Sequence, residues 1–266
     1  MRQVQVEIFT GEAGTAFASK HAAAAVVIDA LRASATATML LESGALEIYI
    51  TREVEEAFAL RQQHFTDALL FGERGGLPPE GFDGGNSPIE AAKAAGRRVI
   101  FTTTTGAGRV VACRGASLIC MGTVLHADAL CKTLAAWAAR HRTSGVPLVF
   151  IPAGLMDDPD FSAQEDEASA LALARGLFRA YPDLFRPGES VSGYESRYGS
   201  ILDRPDGLTF LFESAPHAEK LRRIGLGHEV AWCARMDVTH AVPCVHGWWN
   251  DRTPILRRGM PDSIQD

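Results

Sequence analysis

Acidic side chains follow several apolar segments of this sequence, at points where the end of a strand would place them. Asp29 ends the apolar run 24–29, and Glu73 comes just after the run 68–71. The run 148–151 is followed by a longer acidic stretch: Asp157, Asp158, Asp160, Glu165 and Asp166. Open α/β sheets bind ligands outside the carboxyl ends of their strands, and hard cations such as Mg²⁺ and Mn²⁺ prefer carboxylate oxygens. The sequence therefore predicts an all-oxygen metal site from five residues: Asp29, Glu73, Asp83, Glu165 and Asp166.

The same carboxylates also have structural interpretations. Asp29 could cap the next helix or pair with Arg32, because a carboxylate at the end of a buried strand needs some compensation for lost solvation. Glu165 and Asp166 would open a helix, where acidic residues complement the helix dipole. Both interpretations stay open at this stage.

Anion-binding groups lie beside these carboxylates. Arg32 and Arg74 offer fork-shaped donors that suit phosphate, carboxylate or sulfonate. The glycine-rich loops at 72–76 and 81–88 and the turn from Thr102 to Gly106 would let backbone amides and hydroxyls approach an anion. The turn lacks the glycine pattern of a dinucleotide fingerprint, and no P-loop string is present.

Other functional classes lack support in the sequence. No HExxH or CxxC pair indicates zinc, and no GxSxG string indicates a serine hydrolase. The net charge of −6 gives no basic footprint for nucleic acid or an anionic membrane. No apolar run is long enough for a membrane span and the first residues do not resemble a signal peptide, so we expect a cytoplasmic protein.

A sheet flanked by helices is needed to position the site residues. Continuous apolar runs at 4–9, 24–29, 46–50, 68–71, 98–102, 117–121 and 148–151 indicate buried strands. Amphipathic segments at 53–63, 87–95, 125–140 and 164–179 indicate helices between them. The alternation predicts a three-layer α/β/α fold with a mostly parallel or mixed sheet.

The pattern loosens after residue 179. Turn signals there precede a predicted helix near 215–224 and a predicted strand near 229–233. We therefore expect a main α/β lobe at 1–180 and a smaller C-terminal α/β portion at 181–266, or one continuous domain. The apolar helix at 125–139 makes a homo-oligomer conceivable.

Several strings together resemble the 2-phosphosulfolactate phosphatase family over most of the chain. They are VVIDALRAS at 26–34, LLFGERGG at 69–76, GFDGGNSP at 81–88, TTTTG at 102–106 and the pair Glu165–Asp166. The resemblance implies an Mg²⁺-dependent phosphatase that hydrolyses 2-phospho-3-sulfolactate to 3-sulfolactate and phosphate, a step of coenzyme M biosynthesis.

The resemblance and the residue chemistry together predict the roles of individual side chains. The predicted catalytic residues are Asp29, Arg32, Glu73 and Arg74, with Asp29 either the nucleophile or a metal ligand that orients water. The predicted substrate-binding residues are Ser34, Asn86, Ser87, Thr103, Thr104, Thr105, Gly106 and His126. Thr105, Ala107 and His126 depart from the family's usual residues, which bears on the substrate more than on the chemistry. The alternatives are a phosphatase of another small phosphorylated carboxylic acid and a non-catalytic anion-binding relative.

Overall fold

The computed structural model describes residues 3–141, 144–155 and 161–262, and its strands there form one mixed sheet. The strands are β1 (Val4–Ile8), β2 (Ala24–Ile28), β3 (Glu47–Thr51), β4 (Leu69–Gly72), β5 (Arg98–Thr102), β6 (Leu118–Met121), β7 (Leu148–Pro152), β8 (Phe185–Pro187), β9 (Pro243–Trp249) and β10 (Thr253–Arg258). Their order in the sheet is β4-β5-β3-β10-β9-β6-β2-β7-β1-β8. All seven strands predicted from apolar runs are present, which confirms the α/β fold class.

Helices cover both faces of this sheet. They are α1 (Gly11–Lys20), α2 (Ala33–Glu42), α3 (Val54–Gln63), α4 (Gly106–Ala112), α5 (Ala127–His141), α6 (Gln164–Ala180), α7 (Val191–Leu202), α8 (Gly207–Glu213), α9 (Pro216–Arg223) and α10 (His228–Cys233), with a 3₁₀ helix at Pro88–Ala94. Val26 and Val27 are neighbours on β2, but they enter two different core clusters, because successive side chains of a strand point to opposite faces. The continuous apolar runs therefore reflect strands buried on both sides.

Two groups of parallel strands make up the sheet. The group β4-β5-β3 is joined to the group β6-β2-β7-β1-β8 through β9 and β10, which pair antiparallel with each other and with their outer neighbours. Three successive antiparallel pairings reverse the direction of one group relative to the other. Helix α4 contacts strands of both groups, and its first residue, Gly106, packs against Asp29 just after β2.

Residues after position 180 contribute to the same sheet. β8 extends one edge beside β1, while β9 and β10 lie in the interior between β6 and β3. Residues on both sides of position 180 therefore share one sheet. Of the described residues, none belongs to a helix that is both long and apolar enough to cross a membrane.

The strand predicted at 229–233 is wrong, because these residues form helix α10. Val230 and Cys233 are three residues apart and both buried, which is the spacing of one helical face. The segment is too short for its apolar residues to distinguish a helix from a strand by periodicity.

Candidate active site

A cavity of about 390 Å³ lies where strand ends of both parallel groups meet helix α9. Its walls come from the segments that follow β2, β4, β5 and β7, from the start of α6 and from α9. The lining residues are Asp29, Leu31, Arg32, Glu73, Gly75, Gly76, Asn86, Thr104, Thr105, Gly154, Leu155, Asp166, His217, Lys220, Leu221, Arg223 and Ile224. The structure thus brings together seven residues that the sequence predicts for the site: Asp29, Arg32, Glu73, Asn86, Thr104, Thr105 and Asp166.

Asp29 is fixed by the turn that follows β2. The backbone N–H of Ala33 donates to Asp29 Oδ1 at 3.2 Å, and the N–H of Asp29 donates to Ser34 Oγ at 3.0 Å. Ser34 Oγ in turn donates to the carbonyl of Val27 at 3.3 Å, so this predicted binding residue shapes the turn from within the core. A Cβ at Gly106 would stand 2.7 Å from Asp29 Oδ2, so only glycine leaves room for the carboxylate there.

The first turn of α6 carries two buried carboxylates toward Asp29. Asp166 accepts hydrogen bonds from the N–H of Ala30 at 2.7 Å and from the N–H of Gly154 at 3.2 Å. Burial raises the pKa of Asp166 well above its usual value, and the charges of Glu165 and Asp29 raise it further. Burial also raises the pKa of Asp29. The acidic start of α6 therefore faces the protein interior.

Glu73 ties two loops of the cavity together. One of its carboxylate oxygens accepts from the N–H of Thr104 at 2.7 Å, and the other accepts from the N–H of Gly76 at 2.9 Å and from Thr104 Oγ1 at 3.2 Å. The carboxylate thus links the glycine-rich loop after β4 to the threonine turn after β5. Backbone hydrogen bonds fix both loops against the cavity.

Arg32 is 2% exposed and forms a buried ion pair with Glu229 of α10. Its other terminal nitrogen donates to the carbonyl of Gly76 at 2.8 Å. Ser87 Oγ donates to the second oxygen of Glu229, so this predicted binding residue contacts Arg32's partner. Arg32 therefore pairs with Glu229 while its side chain lines the cavity.

Three buried oxygens around the cavity have no hydrogen-bond partner among the described residues: Asn86 Oδ1, Thr105 Oγ1 and Glu165 Oε2. Buried polar atoms are nearly always satisfied, so each such exception calls for a ligand, an ion or water. Asn86 and Thr105 line the cavity itself. Water or a polar ligand in the cavity would satisfy their oxygens.

His217 of α9 lies beside the buried carboxylates at the start of α6. Its Nδ1 lies 3.3 Å from Glu165 Oε1. Burial opposes its charged form, but the hydrogen bond and charge of Glu165 and the charge of Asp29 raise its pKa overall. No local pattern in the sequence indicates His217, Lys220 and Glu229, because they follow Asp29 by about two hundred residues and depend on which way α9 and α10 face.

The remaining predicted residues lie outside the cavity lining. Asp83 Oδ2 accepts from Arg61 at 3.0 Å and from the N–H of Leu70 at 2.8 Å. Arg74 donates to the carbonyls of Glu73 and Arg52, and Thr103 Oγ1 accepts from the N–H of Ala107. Gly106 touches the site through its close approach to Asp29. Asp157, Asp158 and Asp160 lie outside the described residues.

His126 is fully buried in the core. The N–H of Thr123 donates to its Nε2 at 3.2 Å, so its Nδ1 carries the proton and donates to the carbonyl of Ala241 at 2.7 Å. Both bonds are made by the neutral ring, and burial lowers its pKa to about 4. His126 supports the 3₁₀ turn after β6 at a distance from the lining residues.

The carboxylates fit a hard cation with oxygen ligands. Asp29, Glu165 and Asp166 bring three carboxyl groups into a buried space, and Glu165 retains an oxygen without a hydrogen-bond partner among the described residues. No three Asp, Glu, His or Cys side chains of the described segments converge enough to hold a metal ion by themselves. Mg²⁺ is commonly bound through one or two carboxylates, with water and substrate phosphate as its other ligands.

The sequence matches one family of known proteins. The model of the 2-phosphosulpholactate phosphatase family matches residues 13–247. A probable 2-phosphosulfolactate phosphatase of Deinococcus radiodurans is 33% identical, with 82% of this chain and 86% of that protein covered. Proteins of the same description from Thermus thermophilus (30% identical, 84% and 87% covered) and Carboxydothermus hydrogenoformans (28%, 84% and 86%) are also similar.

Removal of Glu229 should destabilise the protein through Arg32. We expect Glu229→Ala to lower the free energy of unfolding by about 3–5 kcal/mol, because it leaves a buried guanidinium unpaired. Ser87→Ala, which removes one hydrogen bond to the same carboxylate, should cost only about 1 kcal/mol. Urea denaturation measures both; a loss below that of Ser87→Ala would show that the pair contributes little.

His126 should make stability fall in mild acid. Its pKa in the folded protein, about 4, lies below the value near 6.5 of an unfolded chain, so the unfolded state binds the proton first as the pH falls. The contribution is fully present above about pH 6.5 and is lost between there and about pH 4, up to about 3 kcal/mol. Urea denaturation across this range should therefore show a steeper decline for the wild type than for His126→Asn. Parallel curves would contradict the neutral buried ring.

Proposed function

Because this chain belongs to the 2-phosphosulpholactate phosphatase family, we propose that it hydrolyses 2-phospho-3-sulfolactate to 3-sulfolactate and phosphate with the help of Mg²⁺. The observation that carries the proposal is the cavity, where buried carboxylates and anion-binding donors face one another. Every residue lining it falls within the matched segment 13–247. The similar proteins of Deinococcus radiodurans and Thermus thermophilus, described as probable 2-phosphosulfolactate phosphatases, support the same substrate.

The phosphoryl group would lie between Asp29 and the threonine turn. Thr104 and Thr105 line the cavity there, and the hydroxyl of Thr105 has no partner within the described residues. Arg32 would donate from the side, held by Glu229 and Gly76. A guanidinium fixed in this way offers donors to an anion without first losing side-chain freedom.

Asp29 would act at the reacting phosphorus. The N–H of Ala33 orients one carboxylate oxygen, which leaves the other directed toward the turn at Gly106. The carboxylate would either attack phosphorus itself or orient the water that does so. In both cases the bond from phosphorus to the ester oxygen breaks, one water is consumed, and the ester oxygen leaves as the hydroxyl of 3-sulfolactate.

Asp29 and Glu165 are the residues that would hold Mg²⁺, because both oxygens of Asp166 already accept hydrogen bonds, from the N–H groups of Ala30 and Gly154. When bound, the ion neutralises charge that develops on the phosphoryl and leaving oxygens. Glu73 lines the same space, but its oxygens already accept hydrogen bonds from Gly76 and Thr104. We therefore assign Glu73 to holding the loops in place.

The cytoplasm is the proposed location, and coenzyme M biosynthesis is the process that its product would serve. All five cysteines are buried and free, which suits a reducing compartment.

Phosphate release from 2-phosphosulfolactate should require both Asp29 and a divalent cation. We expect Asp29→Asn to lower kcat/KM by about 10²–10⁴-fold, the range for a carboxylate that acts in proton transfer or attack. Excess chelator should abolish the wild-type activity, and added Mg²⁺ should restore it. Asp203→Asn, which changes an exposed carboxylate paired with Arg175, is the matched control and should act like the wild type.

Other phosphate esters test whether the proposed substrate is correct. Phosphoglycolate, 2-phospholactate and phosphoglycerates belong in the same assay. Release of phosphate only from one of these esters would support phosphatase activity but overturn 2-phosphosulfolactate as the substrate. No release from any ester would favour an anion-binding protein. A near-normal rate in Asp29→Asn would overturn the assignment of the reacting carboxylate.

A further inference from the structure

The cavity has two ends of opposite charge. Asp29, Asp166 and the buried Glu165 lie at its base, whereas α9 presents Lys220 and Arg223 at its rim. The proposed hydrolysis takes place at the acidic bottom of the cavity. Nothing in that chemistry accounts for the cations at the rim.

Lys220 and Arg223 differ in what they already contact. Arg223 Nε donates to Glu219 Oε1 at 3.1 Å on the same helix, so its guanidinium already has a carboxylate partner. The Lys220 ammonium lies 4.1 Å from the ring centroid of Phe161. An aromatic face positions a cation but does not neutralise it as a carboxylate does. Lys220 therefore brings a positioned positive charge to the cavity rim.

The shape of the substrate separates its anionic groups. In 2-phospho-3-sulfolactate the ester oxygen and the carboxylate share one carbon, while the sulfonate stands on the next carbon. The sulfonate oxygens are one bond farther from phosphorus than the carboxylate oxygens, so with phosphorus beside Asp29 the sulfonate is the anionic group that would extend farthest toward the rim. The sulfonate is thus the group that can reach the exposed ammonium of Lys220.

We propose that Lys220 binds the sulfonate of the substrate and thereby determines the preference for sulfonated phosphoesters. The inference rests on the proposed function, since that function supplies the sulfonate. Lys220 touches the substrate away from the reacting atoms, so its loss should act on KM and selectivity more than on kcat.

A matched pair of substrates tests this assignment. 2-Phospholactate equals 2-phosphosulfolactate without the sulfonate, so the ratio of their kcat/KM values reports sulfonate recognition. We expect Lys220→Met to lower this ratio by about tenfold or more, mainly through KM, because a charge-assisted hydrogen bond is lost. Lys220→Arg should restore most of the ratio.

Arg222→Met is the control for a general loss of charge. Arg222 lies on the same helix and pairs with Glu213 and Glu219, outside the cavity lining. It should keep the wild-type ratio. Equal losses in Arg222→Met and Lys220→Met, or an equal fall on both esters in Lys220→Met, would overturn the assignment of the sulfonate to Lys220.

Calorimetric binding of 3-sulfolactate separates this inference from the proposed function. If the wild type releases no phosphate but binds 3-sulfolactate, and Lys220→Met weakens that binding about tenfold or more, the hydrolase proposal fails and the role of Lys220 stands. If phosphate is released and the binding of 3-sulfolactate is unchanged in Lys220→Met, the role of Lys220 fails alone. No binding of 3-sulfolactate to the wild type would overturn the role of Lys220.

Discussion

The buried ion pair between Arg32 and Glu229 joins three separate parts of the chain at the cavity. Arg32 belongs to the turn after β2, Glu229 to α10, and the carbonyl of Gly76, which accepts the second hydrogen bond, to the loop after β4. Two charges withdrawn from water require close geometry and further hydrogen bonds to offset their desolvation, and Ser87 supplies one of these. The pair thus couples the placement of a cavity-facing guanidinium to the folding of a helix near the end of the chain.

The negative charge at the base of the cavity opposes folding and favours binding. Burial raises the pKa values of Asp29 and Asp166, because the carboxylates lose solvation close to one another. A cation shared with a phosphoryl group would relieve this repulsion. Neighbouring backbone amides hold both carboxylates in place before any ligand arrives. The free-energy cost of bringing them together is therefore offset during folding and not during binding.

The sequence predicts most of the strands and part of the site, for physical reasons. Strands buried on both faces leave continuous apolar runs, and the polar residues that end them, such as Asp29, fall at the cavity. Residues on α9 and α10 could not be found in this way, because their role depends on how distant helices dock. The contact between Arg32 and Glu229 is one feature that no local pattern predicts, and the helical conformation of residues 229–233 is another. His126 shows the converse, since it follows a strand end as Asp29 does but its ring is satisfied within the core.

A crystal structure of the protein with Mn²⁺ and 3-sulfolactate, with an anomalous difference map, would show directly whether metal and product occupy the cavity. Mn²⁺ shares the oxygen preference of Mg²⁺ and can be located by its scattering. We expect an anomalous peak beside the Asp29 carboxylate, with the product hydroxyl facing that carboxylate and the sulfonate at Lys220. A metal peak away from Asp29, or a product bound outside the cavity between Arg32 and α9, would contradict this expectation.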